Sequence, residues 1–265
     1  MAEFTAEDGS IIVYSDHGEG VPVLLIHGWM MSRRVWYFQE PLSDQFRVIT
    51  IELRGHGDSR ESEFSYDLCL KDIAELLDHL KIDRVVLAGW SMGSQIAIRF
   101  YSVMSWRVAG MLLVGGTPCF CNQGDFAFGV PKSEVRNMSR RLKLDYESTA
   151  GEFFKGMFTE AEISKPELVA IAQKTISRLP DYPVAISALK SLVESDLRSI
   201  LPQIYVPVLL VHGADDTICP SGASEFMSAI IPGARLEIFA STGHAPFLSR
   251  PERFNALITG FIQSL

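Results

Sequence analysis

The chain has 265 residues, 47% of them hydrophobic and 21% charged, a make-up that excludes wholesale disorder. Lys and Arg number 24 against 32 Asp and Glu, a net charge of −8, so the basic footprint of a nucleic-acid binder is missing. This length admits one large domain or two small ones, and it buries enough apolar surface to need no disulfide or metal staple.

The acidic start, MAEFTAEDGS, has no basic region followed by an apolar stretch, so no signal peptide is read there. Short β-branched runs follow at 11–14, 21–26, 48–51, 84–88, 109–114, 206–211 and 236–239, and read as strands. Most are apolar on both faces, the pattern of a parallel sheet covered by helices. Helical periodicity fills the gaps at 66–80, 92–101 and 251–262, with Leu70, Ile73, Leu76, Leu77 and Leu80 on one face of the first. Alternation of this kind predicts an α/β fold with an open, mostly parallel twisted sheet. From 118 to 202 the alternation stops, and helical patterns at 132–144, 149–158 and 165–178 replace it. Connections between strands are usually far shorter, so this stretch is expected to be an inserted helical lid between core segments 1–117 and 203–265.

No apolar run approaches the ~18 residues that span a bilayer, and no membrane association is expected. Cys69, Cys119, Cys121 and Cys219 show neither disulfide spacing nor a four-ligand metal set. They fit reduced thiols, so the expectation is a cytoplasmic monomer without metal or cofactor.

Gly89-Trp90-Ser91-Met92-Gly93 is a G-x-S-x-G sequence between a predicted strand and a predicted helix. In that setting it forms a sharp turn that lifts a serine oxygen above the sheet at a helix N-terminus. A serine hydroxyl needs a base to take its proton and an acid to orient that base, here expected in the order Ser, acid, His. Only His212 and His244 follow Ser91. His212 ends an apolar strand and reads as a hydrogen-bonded packing residue, whereas His244 lies in a loop before the last helix and is the expected base. The acid falls in the loop after strand 206–211, at Asp215 or Asp216, and spacing does not choose between them. Backbone amides of Met92 and of Trp29 are expected to bind the oxyanion. The Trp29 indole either walls an acyl pocket or packs.

These positions resemble the α/β-hydrolase superfamily over nearly the whole chain, through His27-Gly28, the run from Arg54 to Ser59, the Ser91 turn, Gly213-x-x-Asp216 and Gly243-His244. The resemblance implies Asp216 as the acid, three residues after the glycine. It also implies an Asp where this chain has Glu52, at a structural position. More closely, His27-Gly28-Trp29, the Ser91 turn, Pro118-Cys119-Phe120 and His244-Ala245-Pro246-Phe247 resemble the pimeloyl-acyl-carrier methyl ester esterases of biotin synthesis. That likeness implies hydrolysis of a methyl ester on a long acyl chain held by an acyl carrier protein. It places Phe120, Phe153, Phe154 and Met157, with Trp29, against the acyl chain. Where the likeness implies two lid arginines, this chain has Ser148 and Glu152. It carries instead Lys132, Arg136, Arg140 and Lys143 at helical spacing, beside Arg141 and opposed only by Glu134. This stripe reads either as a docking face for an anionic carrier or as a solvated helix surface.

The expected activity is therefore a serine carboxylesterase acting on a small-molecule ester. Rival readings are a generic short-chain esterase, a lactonase, a carbon–carbon hydrolase or a haloperoxidase-like enzyme of the same fold. A lidded receptor for a hydrophobic ligand is a further reading from outside enzymology. A haloalkane dehalogenase is disfavoured because Ser91 stands where those enzymes carry Asp.

Overall fold

The computed structural model describes every residue except Met1, 60–62, 167, 169 and 172–177. One sheet of eight strands organises it: β1 (Ala2–Thr5), β2 (Ile11–His17), β3 (Pro22–Ile26), β4 (Arg47–Ile51), β5 (Val85–Trp90), β6 (Val108–Val114), β7 (Val208–Gly213) and β8 (Arg235–Phe239). Their order is β1-β2-β4-β3-β5-β6-β7-β8. The pairings β1·β2 and β2·β4 are antiparallel, and all others are parallel. All residues of β5 and β7 are buried, as expected of central strands covered on both faces.

Helices α1 (Tyr66–His79), α2 (Met92–Met104), α7 (Gly222–Ile230), α8 (Pro246–Ser249) and α9 (Pro251–Gln263) accompany the sheet. Ser65 caps α1 by accepting from the Leu68 amide at 3.2 Å. Two elements had no sequence signal. Strand β1 buries only Phe4 of its four residues, so it lacks an apolar pattern and is held by backbone pairing at the sheet edge. The 3-10 segment Arg33–Asp44 contains Pro41 and a kink at Trp36, which break helical periodicity.

Between β6 and β7 the chain forms α3 (Lys132–Leu144), α4 (Tyr146–Gly156), α5 (Glu160–Ile163) and α6 (Tyr182–Glu194). The pattern at 165–178 lies partly outside the described residues. The two ends of this insertion are tied together: Cys119 bridges Asp196, and the Leu197 amide donates to Pro118 O at 2.8 Å. The two ends of this stretch thus meet just beyond the C-terminal end of β6.

Candidate active site

Ser91 sits between β5 and α2 with φ 55° and ψ −114°, a left-handed conformation that costs a non-glycine residue about 1–3 kcal/mol. The surrounding glycines permit it. A Cβ on Gly89 would lie 2.2 Å from Gly93 O, and one on Gly93 would lie 2.3 Å from Ile26 O. Strand, turn and helix are therefore pressed together so that the serine stands at the helix start, with its amide donating to Val114 O at 2.8 Å. The loop after β3 packs directly on it, since a Cβ on Gly28 would lie 3.3 Å from Ser91 Cβ. That contact sets the residue just before Trp29 against the serine. No described residue accepts a hydrogen bond from the Trp29 amide. The Met92 amide, at the first position of α2, belongs to the helical N–H groups that have no intrahelical acceptor.

Asp216 and His244 meet in the interior. Asp216 Oδ2 lies 2.6 Å from His244 Nδ1, and both side chains are fully buried. Asp215 is exposed. Asp216 Oδ1 accepts from the amides of Ile218 at 2.8 Å and Cys219 at 3.0 Å. Burial alone would raise the Asp216 carboxyl, but the charge of His244 and hydrogen bonds from His212 and His244 outweigh it. They hold the group well below the usual carboxylate range, so it is an anion that fixes the proton on His244 Nδ1 and leaves Nε2 as the basic nitrogen.

Among the described residues His244 Nε2 is buried without a partner, and no hydrogen bond joins it to Ser91. Catalytic hydrogen bonds of this kind commonly tighten only when substrate binds. The neighbours of Ser91 nevertheless frame the imidazole. Trp90 donates from Nε1 to His244 O at 3.0 Å, with its ring 5.5 Å from the imidazole. On the other side, a Cβ on Gly115 would lie 3.0 Å from His244 Nδ1.

The Trp29 indole is clasped by the insertion. Its Nε1 donates to Ala185 O of α6 at 2.8 Å, and its ring meets Phe153 of α4 edge-on at 4.9 Å. Phe154 is buried against Phe158 rather than Trp29, at 5.3 Å. Met157 is buried and gives its carbonyl to the His244 amide at 2.7 Å, while Phe120 is buried on the loop after β6. Lys132, Arg136, Arg140 and Lys143 are all exposed on α3, and none has an ion-pair partner among the described residues; Arg141 pairs with Glu152. Glu52 is buried, accepts from the Asp58 amide at 2.6 Å and faces Arg33, so it braces the Gly57–Asp58 turn. A cavity of about 880 Å³ lies between the Arg33–Asp44 segment and strands β2 and β4, and none of the residues expected to act in catalysis or acyl binding lines it.

Two contacts escaped the sequence reading. His212, expected to pack, also lies 2.9 Å from Asp216 Oδ2. Glu162 of α5 accepts from the Gly243 amide at 2.9 Å, immediately before His244.

Comparison with known proteins agrees with this fold. A family model described as the alpha/beta hydrolase family matches residues 23–257. The chain belongs to the alpha/beta hydrolase family. This hydrolase is 38% identical over 240 residues to the pimeloyl-[acyl-carrier protein] methyl ester esterase of Nitrosomonas europaea, covering 89% of this chain and 94% of that one. Among solved structures, the hydrolase resembles an esterase from Exiguobacterium antarcticum with a TM-score of 0.92 and 30% identity, covering 99% of each chain. It also resembles a bromoperoxidase from Bacillus anthracis with a TM-score of 0.91 and 25% identity, covering 99% of this chain and 100% of that one.

Proposed function

We propose that this hydrolase is a cofactor-free serine carboxylesterase that cleaves the methyl ester of a pimeloyl chain held by an acyl carrier protein. The observation that carries the chemistry is the short Asp216–His244 contact, with Nε2 left open among the described residues and the strained Ser91 turn bonded to the His244 backbone through Trp90. Ser91 Oγ attacks the ester carbonyl carbon while His244 Nε2 takes its proton. The Trp29 and Met92 amides receive the negative oxygen, and each such donor contributes about 10²–10³ in rate. Collapse of the tetrahedral intermediate breaks the bond to the alkoxide, which leaves as methanol with the proton from His244. Water then attacks the acyl-enzyme, His244 takes its proton, and Ser91 is released with the free acid.

The substrate side rests on four supports. Trp29 and Phe153 bring aromatic surface next to the oxyanion amide, as a long hydrocarbon chain requires. The helices between 118 and 202 act as a lid over the strand ends. The unpaired basic stripe of α3 offers an acidic carrier a complementary face, and the Nitrosomonas relative is named for such a substrate.

Methanol release from pimeloyl-acyl-carrier methyl ester tests the reading. The parent enzyme turns over, and Ser91→Ala loses about 10⁴-fold or more. Activity of Ser91→Ala within tenfold of the parent sinks the catalytic assignment. Turnover of p-nitrophenyl esters alone sinks the carrier assignment.

A further inference from the structure

The catalytic carboxylate has a second histidine. His212, next to last in β7, places Nε2 2.8 Å from Cys219 O and 2.9 Å from Asp216 Oδ2. Oδ2 is the same oxygen that His244 Nδ1 approaches at 2.6 Å. All three side chains are fully buried. On the far side of the ring, His212 Nδ1 lies 2.7 Å from Ser224 Oγ of α7.

The proton positions follow from the partners. Nε2 faces a carbonyl oxygen and a carboxylate oxygen, both acceptors only, so it must carry a hydrogen. That N–H is directed to the Cys219 carbonyl, with the carboxylate oxygen 2.9 Å from the same nitrogen. Ser224 can donate, so the neutral ring is satisfied when Nδ1 accepts from its hydroxyl. Oδ2 therefore sits between two imidazole N–H groups. Oδ1 takes the two backbone amides of the loop.

We infer that His212 is a positioning residue for the reaction: its Nε2–H, on a nitrogen 2.9 Å from Oδ2, holds Asp216 in place so that Asp216 orients His244. The inference rests on the reading of Asp216 as the catalytic acid. An Asp216 carboxylate bound only by His244 and the loop amides would keep Oδ1 fixed but have a single partner at Oδ2, and so more room to shift there. It would also pull harder on the imidazolium. In a site closed to water each charge-assisted hydrogen bond weighs heavily. The ionisable groups facing this carboxylate are His244 from the β8–α8 loop, His212 from β7 and the Cys219 thiol of its own loop, which burial and then Asp216 push well up. Glu162 of α5 faces the Gly243 backbone on the insertion side.

The test compares His212→Leu, His212→Gln and Asp216→Asn with the parent, using p-nitrophenyl ester turnover across pH. His212→Leu should lower kcat by about 10- to 100-fold with KM within twofold. The acidic limb of its pH profile should move to higher pH, because Asp216 then stabilises the imidazolium more strongly. His212→Gln, which still offers an N–H, should recover most of kcat and return the limb. A folded His212→Leu enzyme within threefold of the parent, with an unmoved limb, overturns the inference. Unimpaired Asp216→Asn overturns instead the reading on which it rests. Nitrogen-detected NMR of the unmutated enzyme guards against a variant that does not fold. The proposal requires a neutral His212 with its proton on Nε2, and a ring protonated on Nδ1 alone contradicts it.

Discussion

Glu162 and Gly243 meet where the helical insertion touches the hydrolase core: one oxygen of the Glu162 carboxylate accepts the Gly243 amide at 2.9 Å. The same oxygen accepts from the Thr159 amide at 2.9 Å, closing a capping box at the start of α5. Nearby, His244 donates its amide to Met157 O at 2.7 Å, and Thr217 donates its hydroxyl to Gly156 O at 3.0 Å. A short stretch at the end of α4 and the start of α5 therefore grips both the loop bearing His244 and the loop bearing Asp216. With Trp29 bonded to Ala185, the insertion reaches the loops that carry Trp29, Asp216 and His244.

Loosening that grip should cost turnover more than binding. Glu162→Ala leaves the amides of Thr159 and Gly243 without their acceptor in a buried setting. Loss of the cap and of one buried hydrogen bond should together destabilise the fold by about 2–3 kcal/mol. Thermal unfolding should register this as a fall of roughly 5–10 °C. We expect kcat to drop about tenfold with KM little changed, since His244 is misplaced while the acyl wall stays intact. Glu162→Gln keeps an acceptor oxygen and should restore both. Unchanged kcat in a folded Glu162→Ala enzyme would show that the contact does not position the base.

The neighbouring carboxylates should behave very differently. Asp216→Asn removes the anion that fixes the proton on His244 Nδ1, and such a change typically costs about 10⁴ in kcat. Asp215 is exposed and donates only its backbone amide, to Thr242 O at 2.9 Å, so Asp215→Asn should leave kcat within about twofold. Steady-state kinetics on one p-nitrophenyl ester decides it, and the reverse ranking would remove Asp216 from the mechanism.

What could be read in the sequence divides along a physical line. Strands β3, β5, β6 and β7 announce themselves because they are apolar on both faces, and the Ser91 turn because two close backbone approaches demand glycine at Gly89 and Gly93. Strand β1 carries no such signal, since only Phe4 of its four side chains is buried and the rest of its hold is backbone bonding to β2. The choice between Asp215 and Asp216 is invisible to spacing because it depends on which way a loop turns toward His244. Glu162 did carry a local mark, the Thr159-x-x-Glu162 box, but its partner Gly243 lies 81 residues away. His212 reads as packing for the same reason: its contact with Asp216 is made by the fold of the loop after β7.

Two other buried histidines should make stability depend on pH. Burial, helped by the neighbouring His56, pushes His27 down to about 3, and burial pushes His56 down to about 4. Both stay neutral in the fold while the unfolded chain takes up protons below about pH 6.5. Their contribution is therefore whole above that pH and is lost as the pH falls toward 4, by up to about 1.4 kcal/mol per unit for each ring. His56→Asn keeps a donor for Arg54 O, which His56 Nδ1 meets at 3.1 Å, and removes one titrating ring. Urea unfolding at pH 7, 6 and 5 should show a shallower decline for this variant than for the parent. Parallel slopes would mean that His56 is protonated in the fold.

Charge reversal on the α3 stripe is expected to tell a carrier-bound substrate from a free ester. Lys132, Arg136, Arg140 and Lys143 are exposed and lack ion-pair partners among the described residues, so their field is available to an anionic protein. Changing Arg136 and Arg140 to Glu reverses the centre of that field while leaving Leu142, the one buried residue of the helix, in place. Fold and basal chemistry have no reason to change, because α3 supplies no contact to Ser91, Asp216 or His244. For a protein carrier the effect is on encounter: a complementary patch raises the association rate, and reversal removes both attraction and steering. We expect the ratio of kcat/KM for the carrier-bound ester to that for a p-nitrophenyl ester to fall at least tenfold at low salt. The gap should narrow as ionic strength rises and the screening length contracts below about 10 Å. A ratio that is unchanged at low salt would assign the stripe to a solvated helix face, and recognition of the carrier would then have to be sought elsewhere on the lid.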